Sequence, residues 1–323
     1  MNTDLKALVT TTDKDVQYDS YVKKILSRKS ILAHILVNTI REFKGMNVRE
    51  AAGLIEGDVL VSKVPVTPGY TNKKDLFTGK IAGLNTEDNE INEGMIRYDI
   101  IFYVRMKDGL SQIIVNIEAQ KDEATEYKIL NRGIFYICRM ISSQKDREFS
   151  NMNYDKLKRV YSVWICMNAK ENSMSHIHLI QEDIVNTRRW KGDMNLLNLV
   201  MIGLTNEMPP KEKDHELHRL LRGLLSSKLS VEEKLKVISD YDIELNNDMR
   251  KDVREMSTLS QAVREEGEKA GRKAGRKEGR AEEVFSSVRD GDYSIKRGME
   301  KLGITDETVF RRNAAIMGII ISE

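Results

Sequence analysis

The spacing of apolar residues changes along the chain and divides it into helical and extended segments. Between residues 18 and 43 the apolar positions recur at helical spacing, which predicts one or two helices. Residues 96–106 and 112–120 alternate between apolar and polar positions, as strands with one covered face do. Residues 127–144 again predict a helix, and the almost wholly apolar residues 160–167 predict a strand buried on both faces. This order of elements indicates an α/β or α+β core.

After residue 168 the pattern is mostly helical. Residues 215–229 and 231–239 predict two helices, with Ser230 as the N-cap of the second. A longer helix is predicted from residue 247 towards residue 283, and two short helices follow it. We therefore expect three parts: a domain of residues 1–258, a charged helix or linker of residues 259–283, and a small helical tail of residues 284–323.

A two-residue turn between the alternating stretches predicts how they pair. Asp108-Gly109 is a favoured hairpin turn, because both central positions tolerate positive φ. A one-residue slip from the register of that turn would destroy a set of matched apolar pairs. The predicted pairs are Ile100 with Ile117, Phe102 with Val115, and Val104 with Ile113.

The second face of this hairpin places two carboxylates side by side. The same register sets Asp99 opposite Glu118, and Arg97 opposite Gln120. Acids directly opposite each other on antiparallel strands repel, whereas a divalent cation such as Mg²⁺ takes carboxylates as ligands. A metal site and an exposed, solvated polar face are both open interpretations. Apolar and aromatic neighbours on this face favour a covered surface: Ile101, Tyr103 and Ile114.

The helix predicted after the hairpin carries a polar stripe. Arg132, Tyr136 and Arg139 fall at positions i, i+4 and i+7, so they share one face of the helix. If that face lies over the acid pair, Arg132 can bind a phosphate with its planar guanidinium group. The alternative is a surface arginine paired with Glu123 or Glu126.

The composition and charge of the chain exclude several classes of protein. The 52 basic and 50 acidic residues nearly balance, which argues against a general polyanion binder but leaves local basic patches open. No apolar run approaches the roughly 20 residues needed to span a bilayer, and no signal peptide is visible. We therefore expect a cytoplasmic protein with no membrane partner. No phosphate-binding glycine loop, nucleophile elbow or zinc-finger spacing is present.

Glycines recur every fourth residue near the C-terminus, at Gly267, Gly271, Gly275 and Gly279, among basic residues. One interpretation is a self-association helix with a basic outer face near DNA, which would make the chain a homo-oligomer. The other is a solvated linker. The tail around Leu302-Gly303-Ile304 is either a small helix-turn-helix or a simple pair of capping helices.

Three runs along the chain stand out together: Arg97-Tyr98-Asp99-Ile100, Ile117-Glu118-Ala119-Gln120 and Arg132-Gly133-Ile134-Phe135-Tyr136. Each run alone is weakly specific, but their order and spacing are more specific. Together they resemble the PD-(D/E)XK nuclease family transposases, which are related to the recombination-promoting nucleases. The resemblance covers residues 18 to 280.

This resemblance implies a fold and a site. The fold would be α/β, a central mixed sheet flanked by helices, with a helical C-terminal extension. Asp99 and Glu118 would bind Mg²⁺ or Mn²⁺, with the Ala119 carbonyl as a third ligand and Glu56, ahead of Glu50, as an acid from an earlier helix. Gln120 stands where the family's motif has lysine.

The implied activity is divalent-metal-dependent cleavage of DNA, linked to transposition or recombination. Gln120 would position the attacking water, but it carries no charge, and Arg132 is the better candidate for the missing positive charge. The alternative is a catalytically degenerate relative that acts as a DNA-binding or interaction protein.

Overall fold

The computed structural model describes residues 3–61, 87–90, 94–107, 112–120, 127–145 and 147–321. Contacts divide the chain into two compact units, Met1–Ser260 and Gln261–Glu323. None of the helices in the described ranges is long and apolar enough to cross a membrane. The α-helices are α1 (Thr3–Leu26), α2 (Lys29–Thr39), α3 (Val48–Gly53), α4 (Ile129–Ser142), α5 (Glu216–Leu225), α6 (Val231–Asp240), α7 (Asn247–Arg289), α8 (Ile295–Leu302) and α9 (Glu307–Ile316).

The first unit is built on a mixed sheet, so the α/β class expected from the sequence is confirmed. The strands are β1 (Leu60–Val61), β2 (Glu87–Glu90), β3 (Gly94–Arg97), β4 (Ile100–Arg105), β5 (Gln112–Gln120), β6 (Arg159–Cys166), β7 (Ser173–His178) and β8 (Leu197–Gly203). Six of them form the sheet, in the order β1-β4-β5-β6-β8-β7. β5, β6 and β8 run parallel, whereas the pairs β1–β4, β4–β5 and β7–β8 are antiparallel. β2 and β3 form a separate antiparallel pair.

The β4–β5 register agrees with the prediction from the apolar pairs. Ile100 lies opposite Ile117, Phe102 opposite Val115, and Val104 opposite Ile113. The Asp108-Gly109 turn itself lies outside the described residues. The expected pairing of Arg97 with Gln120 is wrong, because the chain bends at Asp99 and Arg97 enters β3, opposite Glu87.

Helices cover both faces of the sheet, so its central strands are buried on both sides. One face packs against α1, α2, α5, α6 and the start of α7 in the larger hydrophobic cluster. The other face packs against α4 in a smaller cluster that includes Ile101, Ile114, Ile137 and Trp164. The face that carries Glu118 is therefore covered, as its apolar neighbours predicted.

Two strands lie in the region that the sequence pattern presented as mostly helical. β8 is a short apolar run, and such a run cannot be told from a buried helix by periodicity alone. The predicted helix start at Ser230 is confirmed. Its side chain accepts a hydrogen bond from the Glu233 amide while the Glu233 carboxylate accepts one from the Ser230 amide, which forms a capping box.

The second unit contains the later part of α7 with α8 and α9. These helices enclose a small core of buried residues: Val284, Phe285, Val288, Phe310, Ala314 and Ile319. The glycine-repeat segment is helical, since it lies wholly within α7.

Candidate functional site

Asp99 and Glu118 lie side by side, although regular pairing of β4 with β5 begins one residue later. The Asp99 amide donates to Glu118 Oε1 at 3.1 Å. The Asp99 carboxylate in turn accepts a hydrogen bond from the Ala119 amide to Oδ2, at 3.1 Å. These reciprocal bonds hold both acids at the end of the hairpin, and the structure therefore brings this predicted pair together.

The surroundings of Glu118 disfavour its ionised form. It is 1% exposed, and burial raises its pKa well above the ordinary value of 4.5, with a further increase from the charge of Asp99. Hydrogen bonds from the Asp99 amide and the Asn116 side chain act in the opposite direction, as does the charge of Arg132. The site thus disfavours a second negative charge and favours whatever neutralises it, a proton or a cation.

A lysine from α1 forms an ion pair with Asp99, and the sequence pattern did not predict this contact. Lys23 Nζ lies 2.7 Å from Asp99 Oδ1 and 2.6 Å from Asp19 Oδ2. Burial lowers the pKa of Lys23, but the attraction of Asp99 and Asp19 outweighs burial and leaves that pKa raised. Burial raises the pKa of Asp19, and Lys23 partly offsets this. Lys23 is therefore an ammonium ion bridging two carboxylates.

One local signal for Lys23 was present in the sequence. Asp19 and Lys23 are four residues apart, a spacing at which oppositely charged side chains meet on a helix. Lys23 also lies between Val22 and Ile25, both of which are buried in the core. A charged residue inside an apolar helical pattern, with its own counter-ion one turn away, indicates a buried ion pair.

Arg132 approaches the acids from α4, on the other face of the sheet. Its Nη1 donates to the Tyr127 hydroxyl at 2.7 Å, and its Nη2 donates to the Tyr136 hydroxyl at 2.9 Å. The guanidinium also lies over the rings of Tyr136 and Trp164, with its carbon 4.9 and 5.5 Å from their centroids. Hydrogen bonds and ring stacking together fix the plane of this side chain. The alternative partners Glu123 and Glu126 lie outside the described residues.

A glycine lets α4 lie close to the sheet beside Arg132. A Cβ added at Gly133 would meet Leu199 Cδ1 at 3.2 Å. Behind this contact, Trp164 Nε1 donates to Ser162 Oγ at 2.9 Å, and Asn116 Nδ2 also donates to Ser162 Oγ, at 3.1 Å. The side chains under α4 are therefore fixed by buried hydrogen bonds.

The other two predicted residues, Gln120 and Glu56, lie at opposite ends of the β4–β5 pair. Gln120 lies two residues beyond Glu118 at the end of β5, opposite Cys166 of β6, and is partly exposed. The structure does not bring Glu56 to the acids. Glu56 accepts hydrogen bonds from Arg105 and Gln112, at the opposite end of the β4–β5 pair. That end is about 20 Å away along the strands.

The expected set of three protein carboxylates for a metal is therefore not assembled through Glu56, nor through Glu50, which lies on α3. Within the part of the chain that the structure describes, no group of three or more His, Cys, Asp or Glu side chains is arranged to hold a metal ion. The donors that remain are Asp99 and Glu118. They fit Mg²⁺ or Mn²⁺, since one or two carboxylates with water and phosphate oxygens are a common shell for such ions.

Comparison with protein-family models, with curated proteins and with solved structures finds no match for this chain. A proposal about its function therefore depends on the residues of the site and on the sequence resemblance described above.

Proposed function

We propose that the chain is a divalent-metal-dependent endonuclease of the PD-(D/E)XK type, which hydrolyses phosphodiester bonds of DNA. The observation that carries this proposal is the pair formed by Asp99 and the buried Glu118, flanked by cationic side chains from both faces of the sheet. A protein without a ligand at this site gains little from two apposed acids, one of them fully buried. The links to DNA, transposition and recombination come from the sequence resemblance.

Asp99 and Glu118 would hold Mg²⁺ or Mn²⁺ in this proposal. When bound, the metal ion polarises a phosphoryl oxygen and lowers the pKa of a water molecule. The hydrogen bonds between Asp99, Glu118 and the Ala119 amide keep the two carboxylates fixed before any ligand arrives. That preorganisation reduces the cost of assembling the charged site.

Arg132 and Lys23 supply the positive charge that Gln120 lacks. Two N–H groups of Arg132 are bonded to tyrosine hydroxyls, and a guanidinium has five, so the fixed fork keeps donors for a phosphate oxygen. Lys23 is a positioning residue, because its ammonium forms an ion pair with Asp99 and holds that carboxylate in place. Gln120 would orient a water molecule through its amide, which can both donate and accept.

The test is nicking of supercoiled plasmid by the purified full chain with Mg²⁺ or Mn²⁺. We expect Asp99→Asn and Glu118→Gln to lose at least about a hundredfold in rate, because preorganised charge is worth that much in comparable sites. Glu50→Gln is the matched control, an exposed acid on α3 that should cut as fast as the wild type. Wild-type rates in both site variants would show that the cutting comes from elsewhere.

Two observations favour the second candidate, a catalytically degenerate DNA-binding or interaction protein. Lys23 already compensates Asp99, and Gln120 removes the charge expected in the motif. Calorimetric titration with Mn²⁺ separates the two. Mn²⁺ binding by the wild type that is lost in Glu118→Gln supports the enzyme. If the wild type shows no Mn²⁺ binding, with or without DNA, and no nicking, the degenerate relative is supported.

A further inference from the structure

The later part of α7 carries a concentrated positive charge that the near-balance of the whole chain hides. Between residues 269 and 280 there are six basic residues and one acid, Glu278. All six basic side chains are exposed and, among the side chains that the structure describes, these six line one concave surface on the helix. We refer to these six as the α7 basic face: Lys269, Arg272, Lys273, Arg276, Lys277 and Arg280.

Helical geometry places this charge on one side. At about 100° per residue, the six positions fall within an arc of about 140°. Glu278 and the repeat glycines fall on the remaining arc, and nothing lies within 4 Å of a Cβ added at any of those glycines. The nearest acid before the face, Glu268, bonds to Arg264 at 3.0 Å and lies 3.6 Å from Arg272. The face therefore presents six basic side chains on one side of α7, and one of them, Arg272, lies close to a carboxylate.

We propose that the α7 basic face binds the sugar–phosphate backbone of a nucleic-acid duplex. The face is about 18 Å long, from twelve residues at about 1.5 Å each. A duplex carries one phosphate charge per roughly 1.7 Å of its axis, so a face of this length meets several phosphates at once. Lysine and arginine contacts to phosphates give affinity without base sequence preference. This binding does not depend on the metal site.

The composition of the same segment argues against two other polyanions. Residues 267–280 contain no Leu, Ile, Val, Met or aromatic residue. An amphipathic helix that lies on a lipid surface needs an apolar face to insert, and this segment has none. Proteins that bind single strands stack unpaired bases on aromatic rings, which are also missing from this segment. Backbone contact with a duplex needs neither feature.

The experiment measures binding of the full chain to a fluorescent DNA duplex by anisotropy, in EDTA, over a series of salt concentrations. The test variant is Lys269→Gln/Arg276→Gln/Lys277→Gln. The matched control is Lys211→Gln/Lys236→Gln/Lys251→Gln, which removes the same charge from exposed sites in the first unit. We expect the affinity of the test variant at low salt to be at least about tenfold lower than that of the wild type. The slope of log K against log salt should become shallower by up to about three, one for each phosphate contact removed. Circular dichroism checks that α7 remains helical.

Three results would overturn the proposal: no salt-dependent binding by the wild type, an equal loss in both triple variants, or tighter binding to vesicles of anionic lipid than to the duplex. The use of EDTA separates this proposal from the nuclease proposal, because it measures duplex binding without the metal ion that cutting requires. A chain that binds through α7 but never cuts DNA would support the basic face and contradict the nuclease.

Discussion

At the scale of single residues, the candidate site is a problem of charge balance. Asp19 and Asp99 share one buried base, Lys23, and Glu118 lies beside Asp99 with the charge of Arg132 nearby. Burial weakens the solvation of Lys23, of Glu118 and, in part, of Asp99, so these charges must be compensated locally. Protonation of Glu118 and binding of a cation are competing ways to complete the balance. Two substitutions follow from this competition.

Glu118→Gln should make the protein more stable in EDTA although it removes activity. The folded pKa of Glu118 is raised above its ordinary value of 4.5, so the folded state binds this proton more tightly than the unfolded state does. The free energy of unfolding of the wild type should therefore fall as pH rises from about 4.5 towards the raised pKa. Glutamine cannot ionise and should remove this fall, with a gain of about 1–2 kcal/mol at pH 8. Urea unfolding at pH 5 and pH 8 measures it, and a steeper fall in the variant would contradict it.

Lys23→Gln should have the opposite effect in EDTA. Removing the ammonium leaves two partly buried carboxylates without their counter-ion, which should cost about 2–4 kcal/mol. Added Mg²⁺ should then restore more stability to the variant than it adds to the wild type, because a cation can replace the lost charge. Thermal unfolding with and without Mg²⁺ tests both parts. Lys14→Gln on the same helix is the control, and an equal Mg²⁺ effect in all three proteins would show that Lys23 and the metal do not share a site.

The sequence predicted the acid pair but not the lysine, and the difference is physical. Asp99 and Glu118 belong to one hairpin, whose register follows from local apolar pairs. Lys23 reaches Asp99 only because α1 packs on the sheet, a contact between distant segments. Glu56 was predicted wrongly, since the sequence could not show that Arg105 and Gln112 bind it at the other end of the strands.

At the scale of elements, the sequence predicted the helices and strands that have strong local patterns, but not a short strand. α4, α6 and the β4–β5 pair follow from periodicity, turn chemistry and capping. β8 did not, because seven residues fit a strand or a buried helical turn equally well, and only its pairing with β6 decides. Once formed, each element fixes side chains whose chemistry the pattern alone does not show.

A buried lysine on α6 should make the free energy of unfolding depend on pH. Lys234 is 1% exposed, and burial, with the nearby charge of Arg222, lowers its pKa to about 8 from 10.5. The unfolded state therefore binds more protons than the folded state between pH 8 and 10.5, so the contribution of Lys234 to the free energy of unfolding should rise with pH in that window. Lys234→Met should gain about 2 kcal/mol at pH 7.

Denaturant unfolding of Lys234→Met at pH 7 and pH 10 measures this effect. The gain over the wild type should shrink at pH 10, where the lysine is largely neutral in the folded state. Lys236→Met, an exposed neighbour on the same helix, should show no such change. A gain that is equal at both pH values would mean that packing rather than charge is responsible.

At the scale of the whole molecule, the two units have separate hydrophobic cores. The clusters on the two faces of the sheet draw their buried residues from positions up to Met256, whereas the core of the second unit begins at Val284. Between them α7 runs through an exposed segment that contains the glycine repeat, and each interior glycine weakens a helix by about 1 kcal/mol relative to alanine. That segment should therefore couple the unfolding of the two cores only weakly.

The chain should therefore unfold in two calorimetric transitions, with the smaller one at the lower temperature, because a core as small as that of the second unit supplies only about 3–5 kcal/mol. Deletion of residues 261–323 should remove this transition, leave the larger one within a few degrees, and retain any Mg²⁺-dependent nicking. It should also abolish duplex binding in EDTA. Phe310→Ala, which removes a buried ring 4.8 Å from that of Phe285, should lower the smaller transition alone. A single transition that both changes shift would show that the two cores unfold as one.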